Sequence, residues 1–159
     1  MSRTMSQNKT IEQFKVTEVE LVYRHRQKPE DRYKITGPEC AYNILLQSWD
    51  RNRIELIEEF KILLMDRGHT CLGISTISSG GMAYCVVDPK IVFATALKGK
   101  ASAIILAHNH PSGNLNPSDA DIALTKKLVE GGQLLEIAVP DHLIVTPYKF
   151  YSMAENALL

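Results

Sequence analysis

The amino-acid sequence predicts a single α/β (α+β) domain in which helices flank a mixed β-sheet. Short apolar runs with the period of strands alternate along the chain with segments that have the period of helices, which is typical of such sheets. The chain has 159 residues, 45% of them hydrophobic, and is therefore long enough to bury a core of its own. We expect residues 1–13 to be frayed and residues 14–159 to form the domain.

The N-terminal part contains one candidate strand and one charged segment. Residues 14–23 alternate between apolar and polar types, as the residues of a strand do. Residues 24–34 then carry a cluster of basic side chains, interrupted by Glu30 and Asp31. The basic residues are Arg24, His25, Arg26, Lys28, Arg32 and Lys34. A solvated loop explains this cluster, and contact with nucleic-acid phosphate is the alternative.

The next segment predicts a helix followed by a β-hairpin. After a Gly-Pro break, residues 39–49 have apolar side chains at helical spacing, and we expect Trp49 to lie in the core. Residues 60–66 and residues 71–78 are two apolar runs joined by a short segment that contains Arg-Gly. Two such runs with a short connection predict a hairpin.

A helix, a strand and a second helix are predicted beyond the hairpin. The Asp-Pro pair at 88–89 supplies a good N-cap and a first-turn proline, so a helix is expected from there to about Leu97. Residues 102–107, SAIILA, are mostly apolar and include two β-branched isoleucines, as in a buried strand. The next helix is predicted to begin after Ser118 and to end near Gly131-Gly132. The C-terminal segment, residues 137–159, is predicted to form one or two strands and a last helical turn.

The composition excludes several classes of protein. Eighteen Lys and Arg balance eighteen Asp and Glu, so the whole molecule has no positive field that would hold nucleic acid non-specifically. The three cysteines are odd in number and lack a paired spacing, which favours a reducing compartment. The first ten residues lack the apolar core of a signal peptide, and no apolar run approaches the ~20 residues that span a bilayer. We therefore expect a cytoplasmic protein that does not enter a membrane.

Two histidines and an aspartate form a candidate metal site. His108 and His110 are two residues apart at the end of the predicted buried strand, so both imidazoles would point the same way and could reach one ion. A short loop with proline and glycine follows, and Asp121 then falls in the first turn of the predicted helix. Three such ligands, with a fourth position left for water, are the open arrangement of a catalytic zinc.

Each part of this site also has a structural interpretation. A lone His-x-His is weak evidence of a metal, because histidines at a strand end are often only hydrogen-bonded. Ser118 and Asp121 have the spacing of a capping box, in which both side chains satisfy free N–H groups of the helix. Capping does not explain the two histidines. Because Asp121 shares a helical face with Leu124 and Leu128, its carboxylate would point inward, where a cation would compensate its charge.

A metallohydrolase also needs a base that accepts a proton from water. Glu58 and Glu59 lie at the start of the first strand of the hairpin. Alternation places Glu58 on the face of Phe60 and Ile62, and Glu59 on the opposite face. From the pattern alone, a solvated acidic turn that also includes Glu55 explains these residues.

One long segment carries a family resemblance. Residues 103–128, AIILAHNHPSGNLNPSDADIALTKKL, closely resemble the RadC-type branch of the JAMM metallohydrolases, also called MPN or JAB domains. The family pattern is a glutamate followed well downstream by His-x-His, ten residues and Asp. The similarity covers roughly residue 33 to the C-terminus, through EEFKILLMDRG, the SGG turn, DPKIVFATAL and DHLIVT. It implies the JAMM/MPN architecture, which is cytidine-deaminase-like.

The resemblance also implies roles for individual residues. His108, His110 and Asp121 match the zinc ligands of the family. Ser118 matches the serine that helps to hold the oxyanion of the tetrahedral intermediate. The catalytic glutamate falls on Glu58, with Glu59 as the alternative if the register slips. The resemblance thus implies a zinc metallopeptidase or isopeptidase-like hydrolase that acts on a peptide or protein substrate.

Two other functions are weighed against this one. Full-length RadC-type proteins usually carry a helix-hairpin-helix DNA-binding region ahead of this domain, and the segment that precedes it here is short and shows no such motif. A DNA-associated repair or recombination accessory protein, with a structural or vestigial metal site, is therefore the alternative. A scaffold that has lost its ligands is disfavoured, because every matching residue is present.

Overall fold

A computed structural model describes residues 27–82 and 85–159 as one mixed β-sheet with helices on both faces. The elements, in chain order, are a 3-10 helix (Pro29–Asp31), α1 (Pro38–Leu46), β1 (Glu59–Met65), β2 (Cys71–Ser79), α2 (Pro89–Lys98), β3 (Ala103–Asn109), α3 (Asp119–Leu134), β4 (Ala138–Val145) and β5 (Phe150–Ser152). The strand predicted at 14–23 and the basic residues 24–26 lie outside the described residues. Within the described ranges, no helix is both long enough and apolar enough to cross a membrane.

The sheet has five strands in the order β2-β1-β3-β4-β5. The predicted hairpin is confirmed, because β1 and β2 pair antiparallel. β3 pairs antiparallel with β1 and parallel with β4, and α3 connects the two parallel strands. All seven residues of β3 are buried, as expected for a strand with neighbours on both sides and helices on both faces. The predicted mixed sheet flanked by helices is thus the observed fold.

Two hydrophobic clusters pack on opposite faces of the sheet. One face packs against α1 and includes Leu63 and Ile105, together with Trp49, which is 5% exposed and lies in the core as predicted. The other face packs against α2 and α3, through residues that include Phe60 and Leu106. Because side chains alternate along each strand, even-numbered residues of β1 and β3 share the face of α2 and α3. That face carries the candidate site.

The helix starts follow the sequence closely, whereas the end of α3 does not. Asp88 caps α2 as predicted, since its side chain accepts a hydrogen bond from the backbone N–H of Lys90. α3 was expected to end near Gly131-Gly132 but continues to Leu134. A Cβ on Gly131 would lie 2.7 Å from the ring of Phe93, and a Cβ on Gly132 would lie 2.3 Å from a backbone oxygen. These glycines permit close packing and do not end the helix.

Candidate metal centre

The two histidines lie where β3 ends. His108 is the sixth residue of β3 and is only 2% exposed, and His110 follows directly after the strand. Their side chains point to the same side, as the spacing predicted, and the two Nε2 atoms are 2.9 Å apart. The ring of His108 stacks against Phe60, its register partner on β1, at 6.3 Å between centroids. The sheet therefore fixes the first histidine more rigidly than the second.

The first turn of α3 brings the carboxylate of Asp121 to these imidazoles. Its Oδ1 lies 3.3 Å from Nε2 of His108, and its Oδ2 lies 3.6 Å from Nε2 of His110. One ligand atom from each of the three residues can be chosen so that all lie within 4.8 Å of one another. The structure thus brings the three predicted ligands together.

The capping box that the sequence offered as an alternative is present as well. The backbone N–H of Ser118 donates to Oδ2 of Asp121 at 2.7 Å, and the backbone N–H of Asp121 donates to Oγ of Ser118 at 3.1 Å. The Ser118 hydroxyl also donates to the same carboxylate oxygen, at 2.7 Å. The cap therefore orients the carboxylate toward the histidines, and the two interpretations of Asp121 are compatible.

Hydrogen bonds indicate which nitrogen of His110 carries its proton. Nδ1 of His110 lies 2.6 Å from the backbone oxygen of Asn114. A carbonyl oxygen can only accept, so Nδ1 carries the proton and Nε2 of the neutral ring has a free lone pair. This lone pair faces Nε2 of His108 and the carboxylate of Asp121. Two nitrogens and a carboxylate that converge in this way can share a cation, either a proton on one ring or a metal ion.

The donor set and its spacing fit zinc. Nitrogen and oxygen ligands at 2.0–2.2 Å from a tetrahedral zinc lie about 3.3 Å from one another. The two Nε2 atoms are 2.9 Å apart, Nε2 of His108 is 3.3 Å from Oδ1 of Asp121, and Nε2 of His110 is 3.6 Å from Oδ2, so each separation is close to that value. Two imidazoles and one carboxylate, without thiolate, are a ligand set of catalytic rather than structural zinc sites.

The electrostatics of the site agree with a cation-binding role. Burial by itself raises the pKa of Asp121, but when His108 and His110 are protonated, the hydrogen bonds that their rings donate to the carboxylate outweigh burial and hold that pKa far below its usual range. The hydrogen bond with Asp121 raises the pKa of His110 above its ordinary value. The carboxylate is therefore ionised at neutral pH and available as a ligand.

The structure separates the two glutamates that the sequence left as candidate bases. The carboxylate of Glu59 lies 3.5 Å from Nζ of Lys61, on the face of α1. Glu58 directly precedes β1, and alternation puts it on the face of His108. Its negative charge contributes to the raised pKa of His110. Glu58 is thus the glutamate on the side of the candidate site.

Sequence reasoning assigned no role to His142 and none to the hydroxyl of Thr125, yet both lie next to the site. Nε2 of His142 is 2.8 Å from Nδ1 of His108, and Nδ1 of His142 is 2.6 Å from Oγ1 of Thr125. Burial, followed by the nearby His108, lowers the pKa of His142 well below its ordinary value, so its ring is neutral. The available signal was a histidine beside Asp141 in a mostly apolar strand.

A cleft leads away from His110 along the surface. It has a volume of about 180 Å³, and its walls include Pro111, Leu115 and Tyr148. A second cavity, of about 290 Å³, adjoins it through Glu55 and Tyr148 and extends to Trp49. This surface offers room for an extended ligand beside the candidate metal centre.

Comparison with known proteins places the chain in a family. The family model of the RadC-like JAB domain matches residues 35–158. A UPF0758 protein of Alkaliphilus oremlandii is 42% identical over 129 residues, which are 81% of this chain and 54% of that protein. The UPF0758 protein YkfG of Escherichia coli is 46% identical over 102 residues, which are 64% of this chain and 65% of that protein. These names state no activity.

The extent of the match covers all the elements that build the site. The chain spans about half the length of the Alkaliphilus oremlandii protein, and of a relative in Alkaliphilus metalliredigens that is 40% identical. Within this chain, the family model begins ahead of α1 and ends beyond β5. The chain therefore belongs to the RadC-like JAB domain family.

Proposed function

We propose that this protein is a zinc-dependent hydrolase that cleaves amide bonds in a peptide or protein substrate, as a metallopeptidase or an isopeptidase does. The observation that carries the proposal is the convergence of Nε2 of His108, Nε2 of His110 and the carboxylate of Asp121 at separations of 2.9–3.6 Å. Membership of the RadC-like JAB family supports it. Zinc bound there would supply Lewis-acid chemistry, which polarises a carbonyl and makes water more acidic.

The residues around the three ligands would then perform the proton transfers. Glu58 lies on the same face and is not paired with Lys61, so its carboxylate is the proposed acceptor of a proton from the attacking water. The same group would return that proton to the leaving amine. Amide hydrolysis needs both transfers, because an amine leaves poorly unless it is protonated.

Ser118 is the proposed donor to the oxyanion. Its hydroxyl lies beside the ligand Asp121, where negative charge on the carbonyl oxygen of a substrate would develop. For this role the hydroxyl must exchange its hydrogen bond to Asp121 for one to the substrate. The backbone N–H of Ser118 still holds the carboxylate at 2.7 Å when the hydroxyl turns away.

The substrate would lie in the cleft beside His110. An extended polypeptide is the proposed occupant, and Tyr148 and Leu115 in the walls of the cleft would supply apolar contact. We also propose that the protein works in the cytoplasm, which its three free thiols, Cys40, Cys71 and Cys85, support.

Metal analysis of ligand variants tests the proposal. Wild-type protein, after equilibration with zinc and dialysis, should hold one zinc per chain by atomic absorption, and His108→Ala and Asp121→Ala should hold none. Asp119→Ala is the matched control, because Asp119 lies in the same helical turn but is exposed. Full retention of zinc in both ligand variants would rule the site out.

A further inference from the structure

We propose that His142, itself oriented by Thr125, is a positioning residue that selects the nitrogen with which His108 binds zinc. The inference rests on the proposed zinc function and extends it to two residues outside the ligand set. His142 lies on β4, which pairs parallel with β3, and its side chain is fully buried. Both of its ring nitrogens have side-chain partners, one of which is a candidate ligand.

The donor and acceptor of each hydrogen bond can be assigned by starting from the hydroxyl of Thr125. Its Oγ1 lies 2.6 Å from the backbone oxygen of Asp121, one helical turn earlier. Two oxygens this close need a hydrogen between them, and a carbonyl has none to give, so the hydroxyl of Thr125 donates there. The single hydroxyl hydrogen is then used. Nδ1 of His142, 2.6 Å from the same oxygen, must be the donor in its own bond.

The remaining directions follow from the chemistry of a neutral imidazole. Such a ring has one N–H, so if Nδ1 of His142 is protonated, its Nε2 accepts. The partner at 2.8 Å is Nδ1 of His108, which therefore donates. This leaves the lone pair of His108 on Nε2, the atom that faces His110 and Asp121. A ligating histidine whose other ring N–H is held by a hydrogen bond is the usual arrangement around metals.

The hydrogen-bonded path also connects two ligands to each other. It runs from the main chain of Asp121 through Thr125 and His142 to the ring of His108. α3, β4 and β3 each contribute one or two of its members. The rings of Phe60 and His142 pack in a T-shaped arrangement, with 5.5 Å between their centroids. A change at Thr125 should thus alter the hydrogen bonding of His108 through His142.

A histidine that merely fills the core makes a different prediction. Its replacement would lower the free energy of unfolding but would leave the zinc affinity of the folded protein unchanged. A positioning residue affects metal affinity itself, typically by ~10–100-fold when its hydrogen bond is lost. Zinc affinity and ring protonation are therefore the measurements that separate the two roles.

Two matched pairs of variants provide the test. Thr125→Val keeps the volume and removes the hydroxyl, whereas Thr125→Ser keeps the hydroxyl. His142→Leu removes both ring nitrogens, whereas His142→Gln retains an amide oxygen that can accept from Nδ1 of His108. Zinc affinity is measured by competition with a chromogenic chelator, and the folded fraction of each metal-free variant is measured by circular dichroism.

We expect Thr125→Val and His142→Leu to bind zinc ~10–100-fold more weakly than wild type, and the Ser and Gln variants to retain most of the affinity. In metal-free protein, ¹⁵N spectra of the imidazoles should show the proton of His142 on Nδ1 in wild type and on Nε2 in Thr125→Val. Wild-type zinc affinity in folded Thr125→Val would overturn the inference, and so would a His142 proton that stays on Nδ1 in that variant. If His142→Leu does not fold, the comparison of Thr125→Val with Thr125→Ser is sufficient to test the inference.

The two proposals fail in different ways. Absence of zinc binding by the wild-type protein would overturn the hydrolase proposal. The location of the His142 proton in metal-free wild type and Thr125→Val would still decide the hydrogen-bond directions. Tight zinc binding by wild type and equally by Thr125→Val would leave the metal site standing and remove the role of His142.

Discussion

The side chain of Asn109 holds the start of β1, because its Oδ1 accepts a hydrogen bond of 2.8 Å from the backbone N–H of Glu59. The same oxygen accepts from the indole N–H of Trp49 at 3.1 Å. Its amide nitrogen donates to the backbone oxygens of Ile54 and Ile57, at 2.6 and 2.9 Å. Asn109 lies between the two candidate histidine ligands in sequence, but its side chain points to the opposite face of the sheet. There it holds the segment from Ile54 to Glu59, which leads into β1.

Asn109→Ala should therefore loosen the position of Glu58 while leaving the three ligands in place. We expect a fall of at least about 1–3 kcal/mol in the free energy of unfolding, because several buried polar groups lose their partner. Turnover per zinc-loaded chain should fall as well. Asn43→Ala, at an exposed position of α1, is the control in urea titrations. Equal stability of the two variants would contradict this role.

Glu58→Gln and Glu59→Gln form a pair that tests which glutamate is the base. Glu58→Gln should retain zinc and lose ~100–10,000-fold in kcat, the usual contribution of a general base. Glu59→Gln should keep its turnover but lose stability, since Lys61, with a side chain only 5% exposed, would lose its carboxylate partner. Rates are measured on fluorogenic peptides that the wild type cleaves. If Glu59→Gln instead loses the larger factor in kcat, Glu59 is the general base.

The common orientation of the two histidines and the face on which Glu58 lies could be predicted from the sequence because both depend on local geometry. Two residues along a strand return to one side, so the orientation of His108 and His110 needed only the correct strand assignment. The same alternation separated Glu58 from Glu59. The capping spacing correctly located the start of α3 at Ser118.

The position of His142 beside His108 could not be predicted in the same way, because it depends on the register of two parallel strands. Leu106 on β3 pairs with His142 on β4, and α3 intervenes between the two strands in sequence. The ring reaches His108, 34 residues earlier, only in that register. Nor does periodicity give the strand order, in which β3 separates β1 from β4.

Replacement of Ser118 separates capping from catalysis. Ser118→Ala should cost about 0.5–2 kcal/mol of stability, and Ser118→Gly only a few tenths, because glycine is tolerated at the N-cap. Both variants lack the hydroxyl. If the hydroxyl serves the oxyanion, both should lose a similar factor in kcat despite their different stabilities. If the kcat of Ser118→Ala and Ser118→Gly instead falls in proportion to their loss of thermal stability, Ser118 acts only as a helix cap.

Tyr42 should make stability depend on pH in the alkaline range. Burial raises the pKa of its phenol above the ordinary value of 10.0. The folded protein therefore favours the neutral phenol, and the resulting stability is fully present below pH ~10 and is lost as the pH rises through the folded pKa. At pH 8, Tyr42→Phe should be less stable by about 0.5–1.5 kcal/mol, because it lacks the hydrogen bond to the backbone oxygen of Thr146.

The difference between wild type and Tyr42→Phe should then shrink above pH 10, as the wild type alone loses the contribution of the phenol. Cys71 and Cys85, whose pKa burial also raises, add an alkaline loss that both proteins share. Urea titrations at pH 8, 9, 10 and 11 measure the difference. A constant gap across this range would contradict the prediction.

At the two glycines near the end of α3, Gly131 and Gly132, an alanine would gain helix propensity but would also clash with a neighbouring group. Alanine gains about 1 kcal/mol in helix propensity over glycine at either position. At Gly132, however, the added Cβ would lie 2.3 Å from the backbone oxygen of Ile137, which is fixed by the start of β4. At Gly131 it would meet the ring of Phe93 at 2.7 Å, and a side chain can move. We expect Gly132→Ala to lower the urea midpoint clearly and Gly131→Ala to lower it less. A gain in stability for Gly132→Ala would mean that α3 and β4 are not in close contact there.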